Sequence, residues 1–397
     1  MTSQTSSSTH SCPGCGKDGA SEFFAADRVP VFCNVLWDSR DAAIETDRAS
    51  MALAHCPNCD LIFNAAFDPA KMTYSAQYEN SLDGSPRFRE YRGQLAERLV
   101  KDFDLREKRI VEIGCGRGDF LRLLADIGNN ECFGFDPSFD PDVDPPPSHP
   151  NVVIRSEDYG PKHRGFDAEF VCCRHVLEHI SEPFGFVRSV HGTIKGGSRT
   201  AVYFEVPNAL YTLKHLGIWD LIYEHCLYFT PPALDALFRR AGFSPIRVES
   251  VYDGQFLSID ATTDVGGESK ASSNGDGDMG RLVGDFKSAY ETKVAHWKQQ
   301  FDEWSKAGAR AVIWGAGSKG VTFLNVMDAP FEVIAHAVDV NPRKQGRFVT
   351  GTGQQIVSPE ALTEIKPDKV LIMNAIYKSE IESQLAELDV AAEVLVV

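Results

Sequence analysis

Tyr223, Glu224 and His225 stand consecutively in this chain, followed closely by Tyr228, Phe229 and Thr230. A histidine flanked by a carboxylate can take a proton near neutral pH, and a tyrosine hydroxyl can hydrogen-bond an oxyanion. The competing reading is that His225 only caps a helix beginning around Pro231 and Pro232. A second group of chemically capable residues lies near the N-terminus. Cys12-Pro13-Gly14-Cys15 and Cys56-Pro57-Asn58-Cys59 are two C-x-x-C knuckles. Four thiolates close a tetrahedral zinc site with no open coordination position, so Cys12, Cys15, Cys56 and Cys59 are expected to hold a structural Zn2+. Cys33 is the alternative fourth ligand, but Pro30-Val31-Phe32-Cys33-Asn34 reads as a packed strand. Cys115, Cys132, Cys172, Cys173 and Cys226 read as buried small apolar side chains.

A third constellation is a glycine turn. Ile110, Val111 and Ile113 form an apolar run, and Gly114, Gly116 and Gly118 follow at alternate positions. Asp119-Phe120-Leu121-Arg122-Leu123-Leu124 then takes up a helical period. A buried strand, a tight turn and a helix start bring a ligand against bare backbone. Glu112 beside the turn would repel a phosphate and attract a cation, which suits S-adenosylmethionine, a cationic nucleoside without phosphate. The next strand, Cys132 to Phe135, ends in Asp136, placed to accept from ribose hydroxyls. Asp158 follows Val152-Val153-Ile154 and can accept from an adenine amino group. Phe166 to Val171 reads as the fourth strand, running into Arg174 and His175, which complete the expected cofactor set.

A second strand–turn–helix unit lies near the C-terminus. Ala311-Val312-Ile313-Trp314 enters Gly315-Ala316-Gly317-Ser318-Lys319-Gly320, a complete G-x-G-x-x-G. The motif alone fits either a dinucleotide site or an accessory domain using its glycines for close packing. Lys319 suits a phosphate or diphosphate, and Asp339 stands where a ribose would be held. A nucleotide attached to the substrate satisfies both without redox chemistry. Asn341 and Asn208 join these two as expected substrate contacts.

These residues need elements to position them. A chain of 397 residues accommodates two or three domains. The formal charge of −16 disfavours nucleic acid and anionic membranes as partners. No apolar stretch approaches the length needed to cross a bilayer, and the N-terminus lacks a secretory apolar core. Ten cysteines in such a chain point to a reducing compartment, and a cytoplasmic location is expected. The pattern divides into a disordered tail (1–10), a zinc-binding module (11–73), a cofactor-binding core (74–264), a Gly/Ser/Asp-rich linker (265–280) and a C-terminal α/β domain (281–397). Within the core, Arg87 to Asp104 reads as a helix with Tyr91, Leu95 and Leu99 at helical spacing, and strands alternate with helices thereafter.

Taken together, the glycine turn resembles the first motif of class I S-adenosylmethionine-dependent methyltransferases. The whole chain resembles the three-domain, zinc-containing sugar C-methyltransferases, as a divergent member. The likeness runs through the cysteine knuckles, Tyr223-Glu224-His225, the 315–320 turn, Val338-Asp339-Val340-Asn341-Pro342, Lys344-Gln345-Gly346 and Val357-Ser358-Pro359-Glu360. It implies a class I Rossmann-like core between a zinc module and a Rossmann-like tail. The implied reaction methylates a carbon alpha to the ketone of a nucleotide-linked deoxy-keto-sugar. His225 would be the base, Glu224 would orient it or bind the sugar, and Tyr223 would support the enolate oxygen. Tyr78 would line the site from the N-terminal side, with Tyr74 as the competing residue. The chain departs from the family pattern at Glu79-Asn80-Ser81-Leu82 and at Asn374-Ala375-Ile376-Tyr377. An O- or N-methyltransferase on the same frame is the alternative. An oxidoreductase using the tail turn and an RNA-directed zinc module are the remaining ones.

Overall fold

A computed structural model describes residues 9–72, 78–79, 84–142, 145, 148–194, 200–263 and 279–397. Its centre is a seven-stranded sheet. In spatial order the strands are Val152–Arg155, Glu131–Phe135, Arg109–Ile113, Phe170–Arg174, Ala201–Pro207, Phe256–Thr262 and Ser244–Val251. The first five run parallel and the last two form an antiparallel hairpin on the edge. Parallel strands are covered on both faces, which accounts for the near-continuous apolar runs Ile110-Val111 and Phe170-Val171-Cys172-Cys173. The fourth strand begins at Phe170, four residues later than the sequence pattern implies. Residues 166–169 lie outside it, with Asp167 at φ +53°, a turn conformation incompatible with a strand.

The sheet is flanked by helices whose ends are written in the sequence. Pro86–Asp102 starts on a Ser85 cap with proline in its first turn and buries Leu95 and Leu99. Asp119–Gly128 buries Phe120, Leu121, Leu124 and Ala125. Pro231–Ala241 is capped by the hydroxyl of Thr230, which accepts from the Ala233 amide, and stops at Gly242, φ +102°. Thr230, not His225, therefore caps this helix.

The second sheet is antiparallel and lies N-terminal: Thr9–Ser11, Asp18–Pro30, Arg48–His55 and Ile62–Asn64. Its fifth strand is borrowed from the core. Leu227–Tyr228 pairs with Phe63 and Ile62, two residues after His225. Residues around Cys33 are not a strand; they form an irregular connection with two isolated bridges, Val35 to Tyr78 and Trp37 to Phe348. The third sheet is wholly parallel, in the order Gln355–Val357, Ile334–Val338, Ala311–Trp314, Lys369–Ile372, Glu393–Val396.

The three sheets are joined by side chains. The helix Met279–Ala307, about 44 Å long at 1.5 Å per residue, buries Phe286 against Phe24, and Trp297 and Phe301 against Phe323. Gln255 and Asn374 exchange two amide hydrogen bonds at 3.2 and 2.7 Å, and Tyr252 meets Tyr377 hydroxyl to hydroxyl at 2.7 Å. Trp37 donates to Thr350 at 3.0 Å, and the Gly351 amide to the Ala43 carbonyl at 2.7 Å. No described helix is long and apolar enough to cross a membrane. The expected linker falls almost wholly outside the described residues, as does most of the expected N-terminal tail.

Candidate active site

The first glycine turn sits at the carboxyl ends of the parallel strands, where open α/β sheets bind ligands. Gly114, Gly116 and Gly118 all have positive φ, +68°, +51° and +74°. A Cβ on Gly114 would come within 2.1 Å of Val176 Cγ2, whereas a Cβ on Gly116 would meet nothing within 4 Å. Gly114 therefore serves packing, whereas Gly116 faces open space. Asp136 closes the turn: one carboxylate oxygen accepts from the Gly116 amide at 2.8 Å, the other from the amide and hydroxyl of Ser138 at 2.9 and 2.6 Å. Asp158 is exposed beyond the third strand.

Glu112 is buried, and its partner is internal. Arg174 donates to Glu112 Oε1 at 3.3 and 3.2 Å and lies over the Phe120 ring at 3.9 Å. Burial raises the Glu112 pKa to about 7 against the opposing pull of Arg174. A buried carboxylate without a counter-charge is costly, and Arg174 supplies it. Glu112 Oε2 is left without a hydrogen-bond partner among the described residues.

Arg174 and His175 lead into a short turn, Leu177–His179, that brings further polar groups inside. His175, at φ +55°, stands 3.1 Å from Glu205 and 3.6 Å from Glu178. Glu205 also accepts from Tyr203 at 2.6 Å and from Tyr91. Burial pulls the His175 pKa down, but Glu178 and Glu205 outweigh it and raise it to about 9. Burial likewise pushes Glu205 up, and His175, Arg174 and Tyr203 bring it down to about 2. Both shifts favour the charged pair, with Glu205 buried and His175 partly exposed.

His225 lies close to this network. Its ring meets that of His179 edge-on, centroids 4.9 Å apart, and its Nδ1 is buried without a hydrogen-bond partner among the described residues. Burial first, then the neighbouring His179, His175 and Lys319, push its pKa well below the usual imidazole value. This shift favours the neutral ring, which retains a lone pair. Nδ1 of His179 is 2.9 Å from the Glu224 carbonyl.

Glu224 and Tyr223 turn toward the N-terminal sheet. Glu224 Oε2 accepts from the Cys33 amide at 3.1 Å, and its carboxylate is also hydrogen-bonded by Tyr78. Burial raises its pKa to about 7, against both of these hydrogen bonds. Tyr223 accepts from the Asp68 amide at 2.8 Å and packs on Phe67. Its hydroxyl proton is left to donate. Tyr78 also sits against Phe32, while Tyr74 lies outside the described residues. Asn208 caps the helix Ala209–Lys214 and donates to Ser250 and Gly254, so all its groups serve the fold.

The tail turn repeats the closure seen at Asp136. Asp339 accepts from the amides of Ala316 and Asn341 at 3.0 and 2.9 Å, and Asn341 accepts from Arg343. The carboxylate expected at a ribose is thus already bound to backbone. A Cβ on Gly320 would meet the Gly315 carbonyl at 2.0 Å, so that glycine is required for packing. Lys319 is ion-paired with Asp220 of the core, and buried Lys344 donates to the Ala316 carbonyl at 3.3 Å.

The four knuckle cysteines converge. The sulfurs of Cys12, Cys15, Cys56 and Cys59 all lie within 4.8 Å of one another, with Cys12–Cys59 at 3.7 Å and Cys15–Cys56 at 3.6 Å. A regular tetrahedron of thiolates at Zn–S distances near 2.3 Å has edges of about 3.8 Å, so the cluster fits that ion. Cys33 is not part of it. The other five cysteines are buried in the core.

Sequence reasoning passed over Glu178, His179 and Glu205. The only linear signal for the first two was their place in Arg174-His175-Val176-Leu177-Glu178-His179, and nothing in the sequence links them to His225.

Comparison with known proteins follows the same division. A methyltransferase domain family matches residues 86–248, and a C-methyltransferase C-terminal domain family matches residues 280–397. The C-methyltransferase NovU of Streptomyces niveus is 24% identical over 403 residues, covering 93% of this chain and 90% of the relative. A ubiquinone biosynthesis O-methyltransferase of Hydrogenovibrio crunogenus is 26% identical over 162 residues, covering 36% of this chain and 66% of its own. Among solved structures, an S-adenosylmethionine-dependent methyltransferase from Aquifex aeolicus covers 50% of this chain and 100% of its own at 16% identity, with a TM-score of 0.38. With both family matches in sequence order and NovU aligned across nearly the whole length, the chain is an S-adenosylmethionine-dependent methyltransferase, a divergent member of the family with the C-methyltransferase C-terminal domain.

Proposed function

We propose that the protein methylates a carbon alpha to the ketone of a nucleotide-linked deoxy-keto-sugar through an enolate generated by His225. The observation that carries this reading is the half-buried His225, whose Nδ1 is itself buried and has no hydrogen-bond partner among the described residues. Carbon is a poor nucleophile unless an adjacent carbonyl lets it lose a proton, so a C-methyltransferase needs a base and an oxyanion donor. His225 takes the proton. Tyr223 donates its remaining hydroxyl proton toward the enolate oxygen, and Tyr78 with Glu224 closes the site from the N-terminal side. S-adenosylmethionine, when bound, supplies an electrophilic methyl group.

The turn at Gly114–Gly118, with Glu112, Asp136, Asp158, Arg174 and His175 around it, is assigned to that cofactor. The substrate's nucleotide is assigned to the tail turn, with charge from Lys319 and with Asp339 and Asn341 shaping the turn. The four N-terminal thiolates are assigned a structural zinc ion. This cluster and the reduced core cysteines favour a reducing, cytoplasmic setting.

The test is solvent deuterium exchange at the alpha carbon of a dTDP-linked keto-sugar, without methyl donor. Exchange by the wild type that disappears in His225→Ala is the expected result. Absence of exchange in the wild type, together with methyl transfer to oxygen or nitrogen, would overturn the enolate reading. Unchanged turnover in both His225→Ala and Tyr223→Phe would do the same.

A further inference from the structure

We propose that Thr350 of the tail domain is a positioning residue for the Glu224 carboxylate, acting through the backbone of Cys33. This role of Thr350 rests on the reading of Glu224 as part of the active site. Thr350 is 1% exposed, and its hydroxyl lies 3.2 Å from the Cys33 carbonyl and 3.0 Å from the indole nitrogen of Trp37. The direction of both bonds is fixed by chemistry. An indole N–H only donates and a carbonyl only accepts, so the hydroxyl accepts from Trp37 and gives its own proton to Cys33. The amide of the same Cys33 donates to Glu224 Oε2 at 3.1 Å.

Both ends of this line of hydrogen bonds are anchored. Asn325, on the helix Ser318–Met327 that follows the tail glycine turn, donates to the Thr350 carbonyl at 2.9 Å and to the Val321 carbonyl at 2.8 Å. The residues before Thr350 are pinned to the same N-terminal connection. The Phe348 amide donates to the Trp37 carbonyl at 3.2 Å, and Arg347 is ion-paired with Asp38. The residue after Cys33 is held as well, since the Asn34 carbonyl accepts from the Glu79 amide at 2.9 Å. With the bridge from Val35, that contact seats Tyr78, the other donor to Glu224. Arg343 of the tail meets the Glu79 carboxylate at 3.0 Å. Cys33 has only two soft backbone torsions, so a fixed carbonyl leaves its amide little freedom to turn away from Glu224.

The effect on Glu224 has a sign. An amide donor favours the ionised carboxylate, and losing it raises the pKa. Cys33 and Tyr78 face the carboxylate from the N-terminal side, and His179 meets its backbone carbonyl. Tyr223 and His225 adjoin it in sequence, and Lys319 of the tail helix, paired with Asp220, acts on His225. Thr350 carries no charge, so Thr350→Val changes the carboxylate only through the geometry of Cys33.

The experiment labels glutamate carboxyl groups with carbon-13 in the full-length protein and follows the Glu224 resonance by NMR through a pH titration without substrate. The resonance is identified by its loss in Glu224→Gln. Its midpoint, about 7 in the wild type, is expected to rise by about half a pH unit or more in Thr350→Val. Thr350→Ser keeps the hydroxyl and should keep the wild-type midpoint. Trp37→Phe, which frees the hydroxyl without removing it, should raise the midpoint less and stands in if Thr350→Val fails to fold by circular dichroism. A midpoint unmoved in the folded variant, or raised equally in Thr350→Ser, would overturn the role of Thr350. Methyl transfer to a dTDP-linked keto-sugar is measured alongside, where kcat should fall at least threefold in Thr350→Val with KM for S-adenosylmethionine unchanged. A raised midpoint with unchanged kcat upholds Thr350 as the residue that positions Glu224 and removes Glu224 from the reaction.

Discussion

Glu224 accepts a hydrogen bond at 3.1 Å from the backbone amide of Cys33, which ties the loop carrying His225 to the irregular connection after the strand Asp18–Pro30 of the N-terminal module. Together with the strand Leu227–Tyr228, this makes the cysteine module a wall of the proposed site. Metal-binding free energy in such clusters is folding free energy. Cys56→Ser, or exposure to a strong chelator, is expected to abolish methyl transfer and lower the unfolding temperature. S-adenosylhomocysteine binding by calorimetry should survive, because the Gly114–Gly118 turn lies in a different sheet. Full activity after complete zinc removal would show that the module is dispensable.

Glu205 is expected to be the most sensitive buried carboxylate. It faces His175, Tyr91 and Tyr203, and its removal takes the nearer of two carboxylates from the partly buried His175 and the acceptor from both tyrosine hydroxyls. Glu205→Ala should cost about 3–5 kcal/mol of stability. Urea unfolding measures this, and a loss below about 1 kcal/mol would contradict the assigned ion pair.

The glycines of the first turn should separate by role. Gly114→Ala drives a methyl group into Val176 at a positive φ and is expected to yield poorly folded protein. Gly116→Ala meets no protein atom and pays only the left-handed backbone cost, about 1–2 kcal/mol. It should fold, yet bind S-adenosylhomocysteine at least tenfold more weakly. Equal affinity in wild type and Gly116→Ala would move the cofactor away from this turn.

Glu112 gives a pH dependence with a defined sign. Its pKa is raised from 4.5 to about 7, chiefly by burial. The folded state therefore binds the proton more tightly than the unfolded chain, and this contribution is complete below pH 4.5. It is lost as pH climbs through about 7 and constant above. Relative to Glu112→Gln, the wild type should lose stability across that window. A stability difference that stays flat from pH 4 to 8 in urea titrations would show that Glu112 is not protonated in the folded protein.

Much of this architecture was legible because it is local. The turn after Ile113 announces itself through three glycines, each with positive φ, and the knuckles announce four thiols through their spacing. Periodicity also located the helix Pro86–Asp102 to within a residue or two. The misplacement of the fourth strand reflects the limit of an apolar pattern where Asp167 turns the chain. What could not be read was proximity between distant segments. The approach of His179 to His225, of Cys33 to Glu224, and of Arg174 to Glu112 depends on strand order, which no spacing records. The pairing of Asp136 and Asp339 with their own turns was hidden for a related reason. The sequence shows a carboxylate at a strand end but not whether backbone amides already occupy it.

The borrowed strand Leu227–Tyr228 also has a consequence for biosynthesis. Ile62–Asn64 leaves the ribosome with one edge unsatisfied and waits for residues made roughly ten to thirty seconds later. During that interval a row of bare amides and carbonyls is open to neighbouring nascent chains. Rapid overproduction crowds such chains together, whereas slow synthesis at low temperature gives each one time to find its own missing edge.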